Sequence, residues 1–199
     1  VLEHRGELDA ALQMAKRGVE LSGGSDIAYD ILATVYTSMK NDSEALNTYN
    51  AALKKFPKFA QALVYRGALF AEQGNNEAAL ADFESALSIA PTNARILRKA
   101  AFFFATTPDD KIRDGKKALT LAEKAMELAR GEEKWNPWFH VSLAAAQAET
   151  GDFESAVFYA KQALKSPNLS AEDSAEIERE LAMYRDQKPY RHPLTRRAS

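Results

Sequence analysis

The chain contains no cysteine and is poor in the residues that most often interrupt regular structure, with 9 glycines and 7 prolines in 199 residues. The absence of cysteine excludes disulfide scaffolds, cysteine nucleophiles, thiolate zinc sites and iron–sulfur clusters. The scarcity of glycine and proline, together with 46% hydrophobic residues, argues against a disordered chain. No apolar run approaches the ~20 residues that span a bilayer, so the sequence predicts no membrane segment.

An excess of charge of either sign is also missing. The 26 Lys+Arg and 28 Asp+Glu residues give a formal net charge of −2, which offers no electrostatic reason to expect a nucleic-acid partner. The motifs GxGxxG, HExxH and GxSxG and the P-loop do not occur. We interpret the histidines as structural: His4, His140 and His192. The sequence therefore predicts no enzyme, no cofactor and no metal site.

Alanine is the residue that the chain has in excess, with 36 copies in 199 residues. Alanine has the highest helix propensity because its side chain loses no entropy when a helix forms. The composition therefore predicts an all-α protein.

A repeat of 34 residues organises these helices. Pro57 and Pro91 are 34 residues apart, and the same shift aligns Ala45 with Ala79, Tyr49 with Phe83, and Ala52 with Ala86. Each unit has apolar residues at the i, i+3, i+4 and i+7 spacing of two amphipathic helices. Proline then ends the second helix, because it cannot continue the hydrogen-bond ladder. Units of this length that stack on their neighbours predict a solenoid.

The best-formed unit resembles the tetratricopeptide repeat (TPR), whose pattern is W-x2-L-G-x2-Y, then A-x3-F, then Pro. The residues that carry the resemblance are the segment 63–70 (LVYRGALF), Gly74, Ala79, Phe83, Ala86 and Pro91. Leu63 and Arg66 stand where the family has Trp and Leu. The resemblance implies an α-solenoid of antiparallel helix pairs in a right-handed superhelix. The segments 116–118, 135–138, 144–151 and 188–190 add a narrower likeness to the C-terminal TPR module of large bacterial multidomain proteins.

We predict one array over residues 1–186, followed by a basic and loose tail at 187–199. Its parts are a partial repeat at 1–25, repeats at 26–59, 60–93, 94–131 and 136–167, and a capping helix at 170–186. The third unit has five inserted residues near 107–111, and Gly131 is expected to cap its second helix. Because the first residue is Val1, we expect a piece of a longer protein. A cytoplasmic location is favoured, and a periplasmic or secreted one stays open.

The candidate binding site lies on the first helix of each unit, because the resemblance implies a concave side built from these helices that binds peptides. Arg95, Arg98 and Lys99 share one helix face, since residues three and four apart are neighbours. Four further residues complete the candidate peptide site: Gln61, Tyr65, Phe102 and Trp138. A cationic and partly aromatic surface suits a C-terminal carboxylate or an acidic segment.

The carboxylate clamp of the family's chaperone-tail binders is matched only in part. Arg95 and Lys99 agree with its third unit, whereas Asp30, Thr34 and Tyr65 occupy the other clamp positions and depart from it. A solvated helix face is therefore the alternative interpretation of the cationic cluster.

Two functions remain open at this stage. The first is an interaction module whose groove binds a protein or peptide partner. The second is a structural spacer or self-association unit, because the truncated first repeat would expose Leu8, Leu12 and Val19 and favour a homo-oligomer. The sequence also leaves open whether the basic C-terminus crosses the groove at Glu72 and Glu149.

Overall fold

The computed structural model describes residues 2–129 and 136–192, and only the backbone of residues 2–5. Within these ranges the chain forms ten α-helices and no strand. The helices are α1 (Leu2–Leu21), α2 (Asp26–Ser38), α3 (Asp42–Lys55), α4 (Ala60–Glu72), α5 (Asn76–Ile89), α6 (Ala94–Thr106), α7 (Gly115–Leu128), α8 (Pro137–Glu149), α9 (Phe153–Ala163) and α10 (Ala171–Arg185).

The helices stack as antiparallel pairs, α2 with α3, α4 with α5, α6 with α7, and α8 with α9. Helix α1 packs against α2 at one end of the array, and α10 packs against α9 at the other. Each second helix begins at a side-chain cap that accepts a hydrogen bond from a backbone N–H, namely Asn41, Asn75, Asp114 and Asp152. The all-α solenoid predicted from the sequence is thus confirmed.

Small residues set the distance between the helices. Ala33, Ala45, Ala79 and Ala86 are completely buried, which allows neighbouring backbones to approach closely. A Cβ atom on Gly67 would lie 3.2 Å from Cβ of Asp82 and 3.3 Å from the carbonyl oxygen of Ala79. The crossing of α4 and α5 therefore needs glycine or a shift of the neighbouring helix.

Arg66 replaces an apolar contact by a bidentate ion pair. Its Nε and Nη2 donate to the two carboxylate oxygens of Asp82 at 2.8 and 2.7 Å, and its Nη1 donates to Asn50 at 2.8 Å. Parallel N–H···O bonds of this kind are the strongest that a side chain makes with a carboxylate. Arg66 thereby joins α4 to both α3 and α5, which explains the departure from the family pattern.

The inserted residues of the third unit form the loop 107–114 between α6 and α7, as predicted. Arg113 holds this loop through Thr107, whose carbonyl accepts its Nη1 at 3.0 Å, and through an ion pair with Asp110. The predicted cap at Gly131 is wrong for α7. That helix ends at Leu128 with Ala129 as its C-cap, and Gly131 lies outside the described residues.

Helix α10 caps the array with one apolar stripe. Ile177, Leu181 and Tyr184 are buried in a cluster with alanines of α8 and α9. Glu180 is also buried, and its Oε2 accepts a hydrogen bond of 3.0 Å from the Tyr184 hydroxyl. Burial raises the pKa of Glu180 to about 8, the Tyr184 hydrogen bond lowers it and Glu176 raises it.

The expectation of a loose tail needs correction for residues 187–192. The N–H groups of Gln187 and Lys188 donate to the carbonyls of Tyr184 and Met183, at 3.0 and 2.9 Å, in a Schellman motif that ends α10. Gln187 adopts a φ of 55° there, and the chain turns back. The N–H of His192 then donates to the Thr106 carbonyl at 2.9 Å. The remainder of the predicted tail lies outside the described residues.

The apolar residues of the first repeat are more buried than the sequence predicts. Leu8, Leu12 and Val19 are half-buried, because α1 packs against α2. The exposed apolar side chains at this end of the array are instead Met14, Leu21, Ile27 and Ile31, which are 76%, 78%, 68% and 51% exposed.

Three turns between paired helices share one left-handed position, and only one of them lacks glycine. Gly74 and Gly151 have φ angles of 78° and 88°, whereas Lys40 has a φ of 56°. A side chain disfavours this conformation by about 1 kcal/mol, because Cβ approaches the following carbonyl oxygen. Lys40 forms an ion pair with Glu172 at 3.6 Å, but both side chains are largely exposed, so the pair contributes little.

We therefore expect Lys40→Gly to raise the free energy of unfolding by about 1 kcal/mol, measured by urea denaturation. Lys40→Ala is the matched control, because it removes the same side chain and keeps Cβ. A gain with alanine as large as that with glycine would contradict the assignment to backbone strain.

Candidate functional site: the face of the first helices

The first helices of successive units lie side by side, α4 against α6 and α6 against α8. A pocket of about 310 Å³ opens on this face. The side chains around it come from α4, α6, α8, α10 and the C-terminal segment, and include Glu72, Arg98, Lys99, Phe102, Trp138, Glu176 and His192. The pocket thus combines cations, carboxylates and aromatic rings from distant parts of the chain.

Lys99 points across the face toward an aromatic stack. Its Nζ lies 4.5 Å from the ring centroid of Tyr65, and that ring stacks nearly parallel to Tyr49 at 6.1 Å. Burial lowers the pKa of Lys99 to about 7, the charge of Arg98 lowers it further, and Glu72 raises it. Near neutral pH the ammonium group is therefore held in a site that only partly compensates its charge.

Arg98 is packed beneath the neighbouring unit. Its guanidinium carbon lies 5.7 Å from the ring centroid of Phe139, and its buried Nε has no hydrogen-bond partner within residues 6–129 and 136–192. Burial lowers the pKa of Arg98 to about 10, Tyr65 raises it and Arg95 lowers it. A buried donor without a partner is rare in folded proteins, because it has lost its hydrogen bond to water.

The structure gathers four of the seven predicted site residues around the pocket: Arg98, Lys99, Phe102 and Trp138. Tyr65 adjoins them beneath Lys99. Gln61 lies farther along the face, where its amide donates to Oδ2 of Asp30 at 2.7 Å, and burial raises the pKa of Asp30. Arg95 is exposed and does not line the pocket. Arg98 and Lys99 are half-buried, each beside an aromatic ring, Phe139 and Tyr65 respectively.

The family model for the tetratricopeptide repeat matches residues 43–94, which cover α4, α5 and all but the first residue of α3. This part of the chain is a tetratricopeptide-repeat segment. The solenoid of the chain is similar to TTC0263, a thermophilic TPR protein of Thermus thermophilus, with a TM-score of 0.65 at 18% identity over 92% of this chain and 93% of that one. It is also similar to MamA of Desulfovibrio magneticus RS-1, with a TM-score of 0.57 at 18% identity over 88% of each chain.

These likenesses establish the fold of the TPR array. A comparison with curated proteins gave no match. The narrower resemblance to C-terminal modules of large bacterial proteins is not supported by the similar structures. No catalytic family is indicated by any of the matches.

Three titratable residues that line the pocket lie outside the seven predicted site residues. His192 belongs to the segment expected to be loose, and it lies edge-on to Phe102 with ring centroids 6.0 Å apart. Glu176 belongs to the capping helix, and Glu72 ends α4. The basic composition of the tail, opposite acidic positions of the face, was the signal in the sequence that could have placed His192 here.

Residues 2–129 and 136–192 offer neither a metal site nor a membrane-spanning helix. No group of three or more His, Cys, Asp or Glu side chains in these ranges is arranged to hold a metal ion. A search of the same ranges found no helix with the length and apolar character that crossing a bilayer requires.

The lowered pKa of Lys99 makes stability depend on pH in a defined direction. Between about 7 and the ordinary 10.5, the unfolded state binds a proton that the folded state does not, so stability rises with pH. We expect Lys99→Met to remove a slope of at most about 1.4 kcal/mol per pH unit from urea denaturation curves between pH 7 and 9.

The exposed Lys124 of α7 provides the control, because Lys124→Met also removes one lysine. The slope should be unchanged in that variant. Equal slopes in the Lys99 variant and the parent would show that Lys99 is fully charged in the folded protein.

Proposed function

We propose that this TPR array is a protein–protein interaction module that binds an acidic or C-terminal peptide segment on the face of α4, α6 and α8. The observation that carries the proposal is the buried Nε of Arg98 beside the pocket, which lacks a hydrogen-bond partner among the residues that the structure describes. An unsatisfied guanidinium N–H is stabilised by a carboxylate, and charge-assisted bonds of this kind contribute ~1.5–3 kcal/mol.

Lys99, the next residue of α6, supports the same ligand class. A carboxylate near Lys99 would favour its charged form, so binding would take up a proton near neutral pH. Phe102 and Trp138 add apolar surface to the pocket, which favours a ligand with a large apolar side chain next to its acidic group.

Arg98→Glu combined with Lys99→Glu is expected to weaken binding of an acidic peptide at least about tenfold, because each reversal replaces attraction by repulsion. The probes are fluorescent nonapeptides that end in Phe-Glu-Glu or in Phe-Gln-Gln, and the measurement is fluorescence anisotropy. The unaltered chain should prefer the acidic ending.

Lys54→Glu with Lys124→Glu is the matched control, since it changes the net charge equally at exposed sites of α3 and α7. Circular dichroism establishes folding, and Lys99→Gln replaces the double variant if that variant unfolds. Equal affinity in the site variant and the control variant would refute the assignment to this face.

A structural spacer or self-association unit is the second candidate function. It is favoured by Ile27 and Ile31, which lie one turn apart on α2 and are 68% and 51% exposed. Two such side chains on one helix face offer an apolar contact to a second copy.

Light scattering over a range of concentrations tests self-association. A dimer should form in the unaltered chain and be lost in Ile27→Ser with Ile31→Ser, because the apolar contact is removed. Phe158→Ser on α9 changes another exposed apolar residue and should leave the dimer intact. A monomer at every concentration would exclude this candidate.

A further inference from the structure

The C-terminal segment 188–192 lies on the same face, borders the pocket and shares the Phe102 ring with the proposed peptide site. The groups that the segment contacts are the Phe102 ring, the Thr106 carbonyl, and the carboxylates of Glu149 and Glu176. We call them the acidic–aromatic surface. The cationic residues of the proposed peptide site, Arg98 and Lys99, are not part of it.

Tyr190 anchors the segment by its ring and its hydroxyl. The ring centroid lies 6.4 Å from that of Phe102, and the hydroxyl donates to Oε1 of Glu176 at 3.4 Å. The residue also packs against the apolar cluster that α8, α9 and α10 share. An aromatic ring with a polar tip therefore matches a site that is apolar on one side and acidic on the other.

Arg191 supplies charge complementarity. Its Nη1 lies 2.6 Å from Oε2 of Glu149, the last residue of α8. The other oxygen of Glu149 accepts a bond of 2.8 Å from Nε of Arg113 in the inserted loop. The carboxylate is thus held in place by the array itself and presents its second oxygen to the segment.

A main-chain bond fixes the direction of the segment. The N–H of His192 donates to the Thr106 carbonyl at 2.9 Å, in the last turn of α6, where carbonyls have no partner inside the helix. Because this bond uses no side chain, any extended segment that places its ring and its guanidinium group alike could form it.

We propose that the acidic–aromatic surface is a second binding site, which recognises an extended segment containing an aromatic residue followed by arginine. In the free protein the chain's own residues 188–192 occupy it. The site goes beyond the proposed function, because it selects a basic ligand where Arg98 and Lys99 select an acidic one.

The contacts that hold segment 188–192 are weak enough for another segment to replace it. Tyr190, Arg191 and His192 are each only half-buried, and the Arg191 side chain is 33% exposed in its ion pair. Partly exposed pairs of this kind contribute little, so the segment stays bound mainly because attachment keeps it at a high effective concentration. A partner with the same chemistry competes once the attached segment is weakened.

The test uses the full chain and a fluorescent synthetic peptide of residues 188–199. Tyr190→Ala with Arg191→Glu in the chain removes the ring contact and repels Glu149, which frees the surface. The peptide should bind this variant at least about tenfold more tightly than the unaltered chain, since apparent affinity scales with the fraction of open sites. Lys188→Glu in the chain is the control, because Lys188 is exposed and should leave the surface occupied.

Changes in the peptide test the contacts directly. A peptide with Arg191→Glu should bind the opened variant at least about tenfold more weakly than one with Lys188→Glu, although the two have equal charge. If the opened chain fails to fold by circular dichroism, Arg191→Glu alone replaces it.

Equal binding of the peptide to the unaltered chain and the opened variant would refute occupation by the chain's own segment. Equal binding of the two altered peptides would refute recognition by Glu149. Failure of the acidic nonapeptide to bind affects only the proposed function, because that probe uses Arg98 and Lys99.

Discussion

Close approach of helix backbones is the constraint on which this molecule depends. Buried alanines and Gly67 leave so little distance between paired helices that the aromatic side chains of each unit can fill only the spaces beside the crossings. Interiors packed at this density tolerate neither added methyl groups nor voids. Each pair therefore has a fixed shape, and stacking identical shapes produces an extended face built from the first helices.

The chemistry of that face depends on charged side chains whose charge the stacked units compensate only in part. Arg98 and Lys99 are brought beneath the rings of Phe139 and Tyr65 by the stacking of units, although no carboxylate on their own helix faces them. The charged forms of both side chains are therefore disfavoured in the folded state, and this lowers the pKa of Lys99. The carboxylates of Glu149 and Glu176 add negative charge to the same face.

The sequence was sufficient for the parts of the fold that repeat. The 34-residue period and the prolines Pro57 and Pro91 after the second helices follow from residue types and spacing, and the insertion near 107–111 follows from the break in that spacing. The C-terminal segment was accessible only as an open question, because the basic tail could cross the face at Glu149, whereas its position is fixed by single contacts such as Arg191 with Glu149 that no local pattern encodes. Burial of Lys99 was equally inaccessible, since it depends on Tyr65 of the preceding unit rather than on its own helix.

Glu149 makes the last units of this array unequal to the others. Its two oxygens join the inserted loop of the third unit, through Arg113, to the C-terminal segment, through Arg191. In an ideal repeat protein each unit senses only its neighbours, so units can be exchanged or deleted with additive effects. Here one carboxylate contacts both the inserted loop and the C-terminal segment, which lies nearly 80 residues farther along the chain. A standard repeat in place of the third unit would remove Arg113, and one in place of the fourth would remove Glu149, so either exchange would alter the ion pairs that reach the C-terminal segment.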